Sequence, residues 1–438
     1  MSGKNPPRAI EVQPLSGFNQ ALTYSVPAKF SGQLLPGCLV AIPLGPRRTM
    51  GIVSSLKPAD TLPAGKLKPI SALVRREPVL SPDLLELARW MSGYYACSLE
   101  PVLEGMIPAS VRGGANEKSI RMIGIPADGI PSDAFDALSR SPRQKELLDY
   151  LSKQGKPVPL NDTLKYLGIG EGAAKGLMAK GLAEESRRTV RRVAYADDLG
   201  EPASEAESEL VLTDEQAKSS AEIKQSIRAG LFETRLLHGV TGSGKTEVYF
   251  EAMEEALSLG GSVLFLVPEV ALAPQTVSRL RHRFGKQSEQ VVVWHSHLSA
   301  GERLDAWSSI TRGEARIVVG ARSAVFAPVP NLRLVVVDEE HEPAYKQEDT
   351  PRYHGRDVAV YRAMLNRAVC VLGSATPSLE TLHNVERGKY SSSSLTRRID
   401  GRELPLIHLI DMRRESLRQK TPPILSTQLV EAMRQRDT

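Results

Sequence analysis

Six short apolar runs, rich in β-branched residues, recur through the second half of the chain: "RLLHGV", "SVLFLVP", "VVVWHS", "ARIVVG", "LRLVVVDEE" and "AVCVLGSAT". Stretches of helical character separate them. Strands that are apolar throughout, rather than at alternate positions, are buried on both faces, and the intervening helices supply the cover. This half of the chain is therefore expected to form a parallel sheet with helices on both faces. Such a sheet presents the carboxyl ends of its strands along one edge, where ligands sit. The chemistry should lie in the loops that follow the apolar runs.

The first run leads into "GVTGSGKT", Gly239 to Thr246, which matches G-x-x-x-x-G-K-[ST] at every fixed position. A Glu- and Ala-rich stretch follows, so the strand–loop–helix context of a phosphate loop is present. Backbone N–H groups of Gly239, Val240, Thr241, Gly242, Ser243 and Gly244, with the helix N-terminus, offer partial positive charge to phosphate oxygens. Lys245 is expected to reach the β- and γ-phosphates of ATP, and Thr246 to ligate Mg²⁺. The plain alternative is a Gly-rich turn with an exposed lysine. The fifth run delivers "DEEH" to a strand end. Asp338 is placed to hold Mg²⁺ through its water shell, and Glu339 to orient and deprotonate an attacking water. Without the phosphate loop, an acidic pair there would read equally as a solvated loop. "PAYKQEDTPRYHGRD" then interleaves Tyr345 and Tyr353 with Lys346, Arg352, His354 and Arg356. Rings and cations so mixed stack bases and neutralise phosphates; the alternative is a surface loop with packed tyrosines. Trp294 and Trp307 are read as core residues.

At 438 residues the chain is too long for one ordinary core and should divide into two to four domains. Its 41% apolar and 24% charged residues are the balance of a globular protein. No apolar run approaches the roughly 20 residues that cross a bilayer, and "MSGKNPPRAIEV" lacks the apolar core of a secretion signal, so a cytoplasmic location without membrane partners is expected. Cys38, Cys97 and Cys370 are far apart and read as buried thiols. A net charge of +5 is compatible with nucleic acid but weak by itself. From Ala21 to Leu56, short apolar runs alternate with Pro, Gly and basic turns, the pattern of a small strand-rich unit. A helix begins at "SPDLLELARWM", with Ser81 as N-cap and Pro82 first in the helix. Farther on, Ser141 is expected as N-cap with Gln144 in the reciprocal capping position, and Leu147, Leu148 and Leu151 as one apolar face. A second short helix should end at Gly168 and a third, carrying Ala174, Leu177 and Met178, at Gly181. Arg187, Arg188, Arg191 and Arg192 follow. Three short helices and a basic extended segment suggest a winged helix; a helical spacer with a solvated charge run is the alternative. "DDLGEPASEAESE" reads as a linker.

The motifs carry a resemblance. "DEEH" is similar to the second motif of superfamily two helicases, and "GSATPSLET" to the third, which couples ATP hydrolysis to movement on nucleic acid. "PEVALAPQT", "HSHLSAGER" and "GARSAVFAP" lie where such enzymes grip a strand. "GVTGSGKTEVY", "DEEHEPAYKQED", "RYHGRDVAVYR" and "GSATPSLET" together closely resemble the PriA family of primosomal replication-restart helicases.

The resemblance implies an α/β chain with a RecA-like parallel-sheet helicase lobe, preceded by a small β-rich DNA-binding domain and a winged helix. The implied boundaries are 1–110 for a domain binding the 3′ end of a nascent strand, 111–196 for the winged helix, 197–210 for an acidic linker, 211–425 for the first lobe and 426–438 for the start of a second. It implies an ATP- and Mg²⁺-dependent 3′→5′ DNA helicase that restarts stalled forks, associated with the nucleoid. Its partners would be branched and single-stranded DNA, primosome proteins and single-stranded DNA-binding protein. Gln216 would recognise adenine, His341, Ser374 and Thr376 would couple hydrolysis to movement, and the loop carrying Tyr345, Lys346, Arg352, Tyr353 and Arg356 would sense single-stranded DNA. Tyr24, Gly37 and Lys68 align with the 3′-end pocket, although Leu22-Thr23-Tyr24 stands where the family often has Phe-Asp-Tyr. The family's zinc module and second lobe are expected beyond Thr438. Two other readings are a fork-binding scaffold that recruits primosome proteins without unwinding, and a P-loop kinase or transporter ATPase, which the third helicase motif disfavours.

Overall fold

The computed structural model describes residues 9–57, 67–113, 119–126, 128–131, 133–189, 211–268, 274–284, 290–295, 298–399, 407–418 and 424–436. The chain begins with β1 (Ala9–Pro14), β2 (Leu22–Ser25), β3 (Leu39–Leu44), β4 (Arg47–Lys57) and β5 (Ala72–Leu73), an antiparallel sheet in the order β2-β1-β4-β3-β5. Ile10, Val12, Tyr24, Val40, Ile42 and Val53 close its core with Cys38. Gly37 makes the joint to the following segment. Its φ is +88°, and a Cβ there would lie 1.9 Å from the Leu80 carbonyl oxygen, so only glycine fits.

Helices α1 (Pro82–Tyr94), α2 (Leu99–Met106) and α3 (Ala109–Arg112) follow. Ser81 does occupy the N-cap of α1, but its hydroxyl bonds the Asp83 carboxylate and not the helix backbone. The apolar faces of these helices, Leu84, Leu87, Met91, Val102 and Leu103 among them, join one continuous core with Trp307, Val335, Val358 and Leu372 of the large sheet unit. The next unit packs α4 (Pro142–Gln154), α5 (Leu160–Leu167) and α6 (Glu171–Ala179) with an antiparallel sheet of β6 (Ser119–Gly124), β7 (Val158–Pro159) and β8 (Glu184–Thr189), in the order β7-β6-β8. Leu147, Leu148, Leu151, Leu164, Ala174 and Leu177 form its core, and Gly168 ends α5 in the left-handed region. The capping box expected at Ser141 is not formed: the Ser141 side chain makes no cap bond, and the Gln144 oxygen accepts from Lys180 instead. Arg187 and Arg188 lie in β8, while Arg191, Arg192 and the acidic linker lie outside the described residues.

The second half runs α7 (Asp214–Ala229), β9 (Glu233–Gly239), α8 (Lys245–Ser258), β10 (Ser262–Leu266), α9 (Pro274–Phe284), β11 (Val291–Trp294), α10 (Ala300–Thr311), β12 (Ile317–Gly320), β13 (Leu332–Val337), α11 (Gly355–Asn366), β14 (Val369–Ser374), α12 (Leu379–Glu386) and β15 (Ser391–Leu395), then α13 (Met412–Arg418) and α14 (Thr427–Arg436). The seven strands form a wholly parallel sheet in the order β11-β12-β10-β13-β14-β9-β15. The six apolar runs are six of these strands. The seventh, "SSSSL", has no apolar signature: it is an edge strand in which only Ser393 and Leu395 are buried. Trp294 and Trp307 are in the core, as expected; Cys38 and Cys370 are buried, but Cys97 is only half-buried. Among the described residues no helix is long and apolar enough to cross a membrane.

The helices after the N-terminal sheet are fastened to α11 by a buried ion pair. Arg362 is fully buried; its Nε lies 3.2 Å from Asp83, and its Nη1 donates to the Val325 carbonyl. Asn366 donates to the same carboxylate at 3.1 Å, and Trp90 stacks on Tyr361 with ring centroids 4.0 Å apart. Burial pushes the Asp83 carboxyl up, but Arg362, with hydrogen bonds from Ser81 and Asn366, outweighs it and holds the group below its usual range. Asp83→Ala should therefore strand a buried guanidinium and cost about 3–5 kcal/mol, read as a lower thermal unfolding midpoint. In the intact protein this contribution is present above the unfolded-state pKa of Asp and is lost as pH falls through the lower folded one. An unchanged midpoint in the variant would show that the pair does not hold the two units together.

Candidate active site

Because β14 lies between β9 and β13, the loops after these three strands meet. Ser374 is opposite His238 on one side, and Leu372 is opposite Val337 on the other. Beyond β9 the chain turns through Gly242 (φ +81°) and Gly244 (φ +78°) and enters α8 at Lys245, with its unpaired N–H groups facing the turn. A Cβ on Gly244 would meet Gln216 Nε2 at 2.3 Å and Ile399 Cδ1 at 2.5 Å. Lys245 is 8% exposed; its Nζ donates to the Gly239 carbonyl at 3.0 Å and stands 3.7 Å from Glu339 Oε1. Ser243 Oγ is buried with no hydrogen-bond partner among the described residues. Thr241 and Gly242 are exposed, and Val240 and Thr246 half-buried.

Gln216 is buried at the start of α7. It forms a capping box with Thr213, and its Nε2 donates to the Ser243 carbonyl at 2.8 Å, tying the helix to the phosphate loop. A second tie comes from the segment after β15. The Leu395 carbonyl accepts from Val240 N–H at 3.2 Å, and Ile399 N–H donates to the Gly242 carbonyl at 3.0 Å. Glu215 accepts from the Thr396 backbone at 2.7 Å and its hydroxyl at 2.6 Å, bonds that hold its carboxyl below the usual range.

The acidic turn follows β13. Asp338 N–H donates to the Leu266 carbonyl at 2.9 Å, and Tyr345 Oη donates to the Asp338 carbonyl at 2.7 Å. Its carboxylate Oδ1 accepts from Tyr249 Oη at 2.9 Å. Burial pushes the Asp338 carboxyl up, against the lowering effect of that bond. Glu339 has φ +44°, a left-handed conformation rare for a residue with a side chain. Glu340 is fully buried and accepts from Ser378 N at 2.7 Å and from Ser378 Oγ, Thr381 Oγ1 and Arg356 Nη1, each at 3.0 Å. His341 joins the second motif to the third: its Nδ1 is 2.7 Å from Ser374 Oγ and its Nε2 is 3.3 Å from Thr376 Oγ1, while Ser374 Oγ also accepts from Thr376 N–H at 3.0 Å.

Four residues expected to contact DNA, Tyr24, Tyr345, Tyr353 and Arg356, are buried. Tyr345 and Tyr353 are 1% and 5% exposed, the first bonded to the Asp338 backbone and the second packed edge-on against Phe326 beneath Arg322. Arg356 is buried on Glu340. For Tyr345 and Arg356 the cause is the short distance in sequence between this loop and the acidic turn, whose oxygens accept from the hydroxyl and the guanidinium. Lys346 and Arg352 remain exposed; Lys346 Nζ donates to the Arg352 carbonyl at 2.8 Å and stands 5.7 Å from the Tyr95 ring centroid. In the N-terminal sheet, Tyr24 is a core residue whose hydroxyl donates to Pro43, so its ring is not open for stacking. Lys68 is exposed, and its carbonyl accepts from Ser25 N–H, which brings it beside β2. Gly37 instead packs on Leu80.

Sequence reasoning missed Tyr249, Glu340 and Ser378. An acidic residue in the middle of "DEEH", followed 16 residues later by an arginine, was the available signal for the Glu340–Arg356 pair. Glu340→Ala should strip Ser378, Thr381 and Arg356 of their shared acceptor, leaving the buried Arg356 to Asp357, and cost about 3–5 kcal/mol, while Glu340→Gln, which keeps an acceptor oxygen, should cost about 1–3 kcal/mol. Urea unfolding of the two variants checks the order.

Residues 9–108 match the family model of a 3′ DNA-binding domain of the PriA type, and residues 213–385 match that of the DEAD/DEAH box helicases. Replication restart protein PriA of Bacillus subtilis is 33% identical over an alignment covering 95% of this chain and 58% of the relative. That of Chlamydia muridarum is 34% identical, covering 97% and 56%. The chain thus spans a little over half the length of these curated relatives. Among solved structures, the helicase domain of Hef from Pyrococcus furiosus is 22% identical over 41% of this chain and 37% of its own, with a TM-score of 0.33. With one matched region at the N-terminal sheet, the other on the sheet that bears the phosphate loop and acidic turn, and this likeness to relatives along nearly all its length, the chain belongs to the PriA family of replication restart proteins.

Proposed function

We propose that this chain supplies the 3′-end DNA-binding domain, a winged helix and the ATP-binding lobe of a 3′→5′ DNA helicase that restarts stalled forks. It would work in the cytoplasm at the nucleoid, with branched DNA as substrate and with primosome proteins and single-stranded DNA-binding protein as partners. One observation carries the reading: the phosphate loop, the acidic turn and the third motif share one edge, with Lys245 Nζ 3.7 Å from Glu339 and His341 bridging to Ser374 and Thr376.

Among the described residues no group of three or more His, Cys, Asp or Glu could hold a metal. Mg²⁺ that arrives with a nucleotide does not need one, since it keeps waters and takes one or two protein oxygens together with phosphate oxygens. The carboxylate of Asp338, oriented by a single phenol, and the hydroxyl of Thr246 fit that requirement. Bound there, Mg²⁺ would neutralise charge on the β- and γ-phosphates. Lys245 would exchange its hydrogen bond to Gly239 and its ion pair with Glu339 for the phosphates, which would release Glu339 to orient the attacking water. Gln216 links α7 to the phosphate loop, and its remaining amide capacity would read adenine. A change at Glu339 would be felt by His341 and so by Ser374 and Thr376, the coupling role assigned to them. On DNA, Lys346, Arg352 and Lys68 are the exposed cations for phosphates, with Tyr345, Tyr353 and Arg356 shaping the loop from below and Tyr24 and Gly37 shaping the N-terminal sheet.

Lys245→Ala should weaken binding of a fluorescent ADP by about 1.5–3 kcal/mol, the worth of a charge-assisted hydrogen bond, and leave forked-DNA affinity within about twofold, inside the usual additivity error of distant sites. Equal losses in both would count against separate nucleotide and DNA sites. Lys346→Ala should weaken single-stranded DNA uniformly across sequences and lower the salt slope by about 1, with ADP affinity unchanged. A salt slope equal to that of the parent chain would remove Lys346 from the DNA surface.

A further inference from the structure

The geometry points to Tyr249 as a positioning residue that aims the Asp338 carboxylate at the metal accompanying the nucleotide, an inference that rests on the nucleotide-site reading above. Tyr249 lies in α8, three residues past Thr246, and is wholly buried. Its ring packs on Phe265, with centroids 5.8 Å apart, as any core aromatic might. The hydroxyl distinguishes it. To reach Asp338 Oδ1 at 2.9 Å it passes Gly373, where a Cβ would lie 1.6 Å from Oη. The strand is otherwise built of Val369, Cys370, Val371, Leu372 and Ser374. A glycine in a central strand weakens it and marks a close approach, and here the approaching atom is the phenol oxygen.

A residue placed only for packing would be better as phenylalanine, since a buried hydroxyl costs free energy unless bonded. Held in the core and donating to Asp338 Oδ1, the phenol acts as a fixed donor. Tyr345 holds the Asp338 backbone through its own hydroxyl at 2.7 Å. Two tyrosines therefore fix this residue, one by its main chain and the other by its carboxylate. Partners of this kind, bonded to a metal ligand but not to the metal, set ligand orientation and affinity.

The test is Tyr249→Phe in the whole chain, with fluorescent ADP as probe, titrated with Mg²⁺ and repeated in EDTA. The expected result is an Mg²⁺ midpoint raised about tenfold, with affinity in EDTA unchanged. In an Asp338→Asn background the same substitution should have no further effect on the midpoint. An unmoved midpoint, equal losses with and without Mg²⁺ after scaling to the folded fraction, or an undiminished effect in the Asp338→Asn background would each overturn the inference. If Tyr249→Phe lowers the folded fraction, the affinity in EDTA falls with it, and the comparison of the two Asp338 backgrounds, each scaled to its folded fraction, still decides. Absence of Mg²⁺-dependent binding in the parent chain, or Mg²⁺-dependent binding of undiminished affinity in Lys245→Ala, would instead overturn the nucleotide-site reading and this inference with it.

Discussion

The site depends on one buried carboxylate. Glu340, at zero exposure, takes four hydrogen bonds, from Ser378 N, Ser378 Oγ, Thr381 Oγ1 and Arg356 Nη1. These partners come from the loop after β14, from α12 and from α11, so a single ion fastens three elements to the turn after β13. A buried carboxylate is tolerable only when paired and fully bonded, and this requirement fixes the turn. Once Glu340 is committed inward, Asp338 and Glu339 on one side and His341 on the other are held at the sheet edge. The left-handed backbone of Glu339 (φ +44°) is the cost of reversing direction within so few residues.

The parallel sheet and its active edge were legible because their signals are local. Apolar runs identify strands buried on both faces, and a phosphate loop has a fixed spacing of glycines and lysine. The contacts between α1–α3 and the large sheet unit were not legible. The apolar face of α1 announces that it will be buried, but not against what, and its partner α11 lies more than two hundred residues away. Asp83 gave no sign in the sequence that Arg362 would be its counter-ion. β15 was missed for the opposite reason: a run of serines pairs at the sheet edge through its backbone and through hydroxyl bonds to Glu233, Arg235 and Glu222, which composition cannot report.

The aromatic segment shows where composition misleads. Tyrosine, arginine and lysine in alternation describe a surface that stacks bases, and they describe equally well a scaffold in which phenol and guanidinium groups satisfy buried carboxylates and carbonyls. Tyr345 and Arg356 belong to the second kind, and Lys346 and Arg352 lie outside it, on the surface. The deciding factor is proximity to unsatisfied acceptors. The turn at Asp338 to Glu340 has more carbonyl and carboxylate oxygens than its own backbone donors can serve, and nearby donors are drawn in.

The same logic links the phosphate loop to the rest of the lobe. Its glycines leave backbone groups with few neighbours, and the structure supplies them from two directions: Gln216 bonds Ser243, and the segment ending at Ile399 bonds Val240 and Gly242. Glu215 and Gln216 are adjacent, and one holds the segment after β15 while the other holds the loop itself. A nucleotide that repositions Gly242 must therefore move Ile399, and Thr396 with it, or break their bonds. The chain leaving β15 is in this way mechanically tied to the loop that would hold the phosphates, by main-chain hydrogen bonds that leave no trace in side-chain identity.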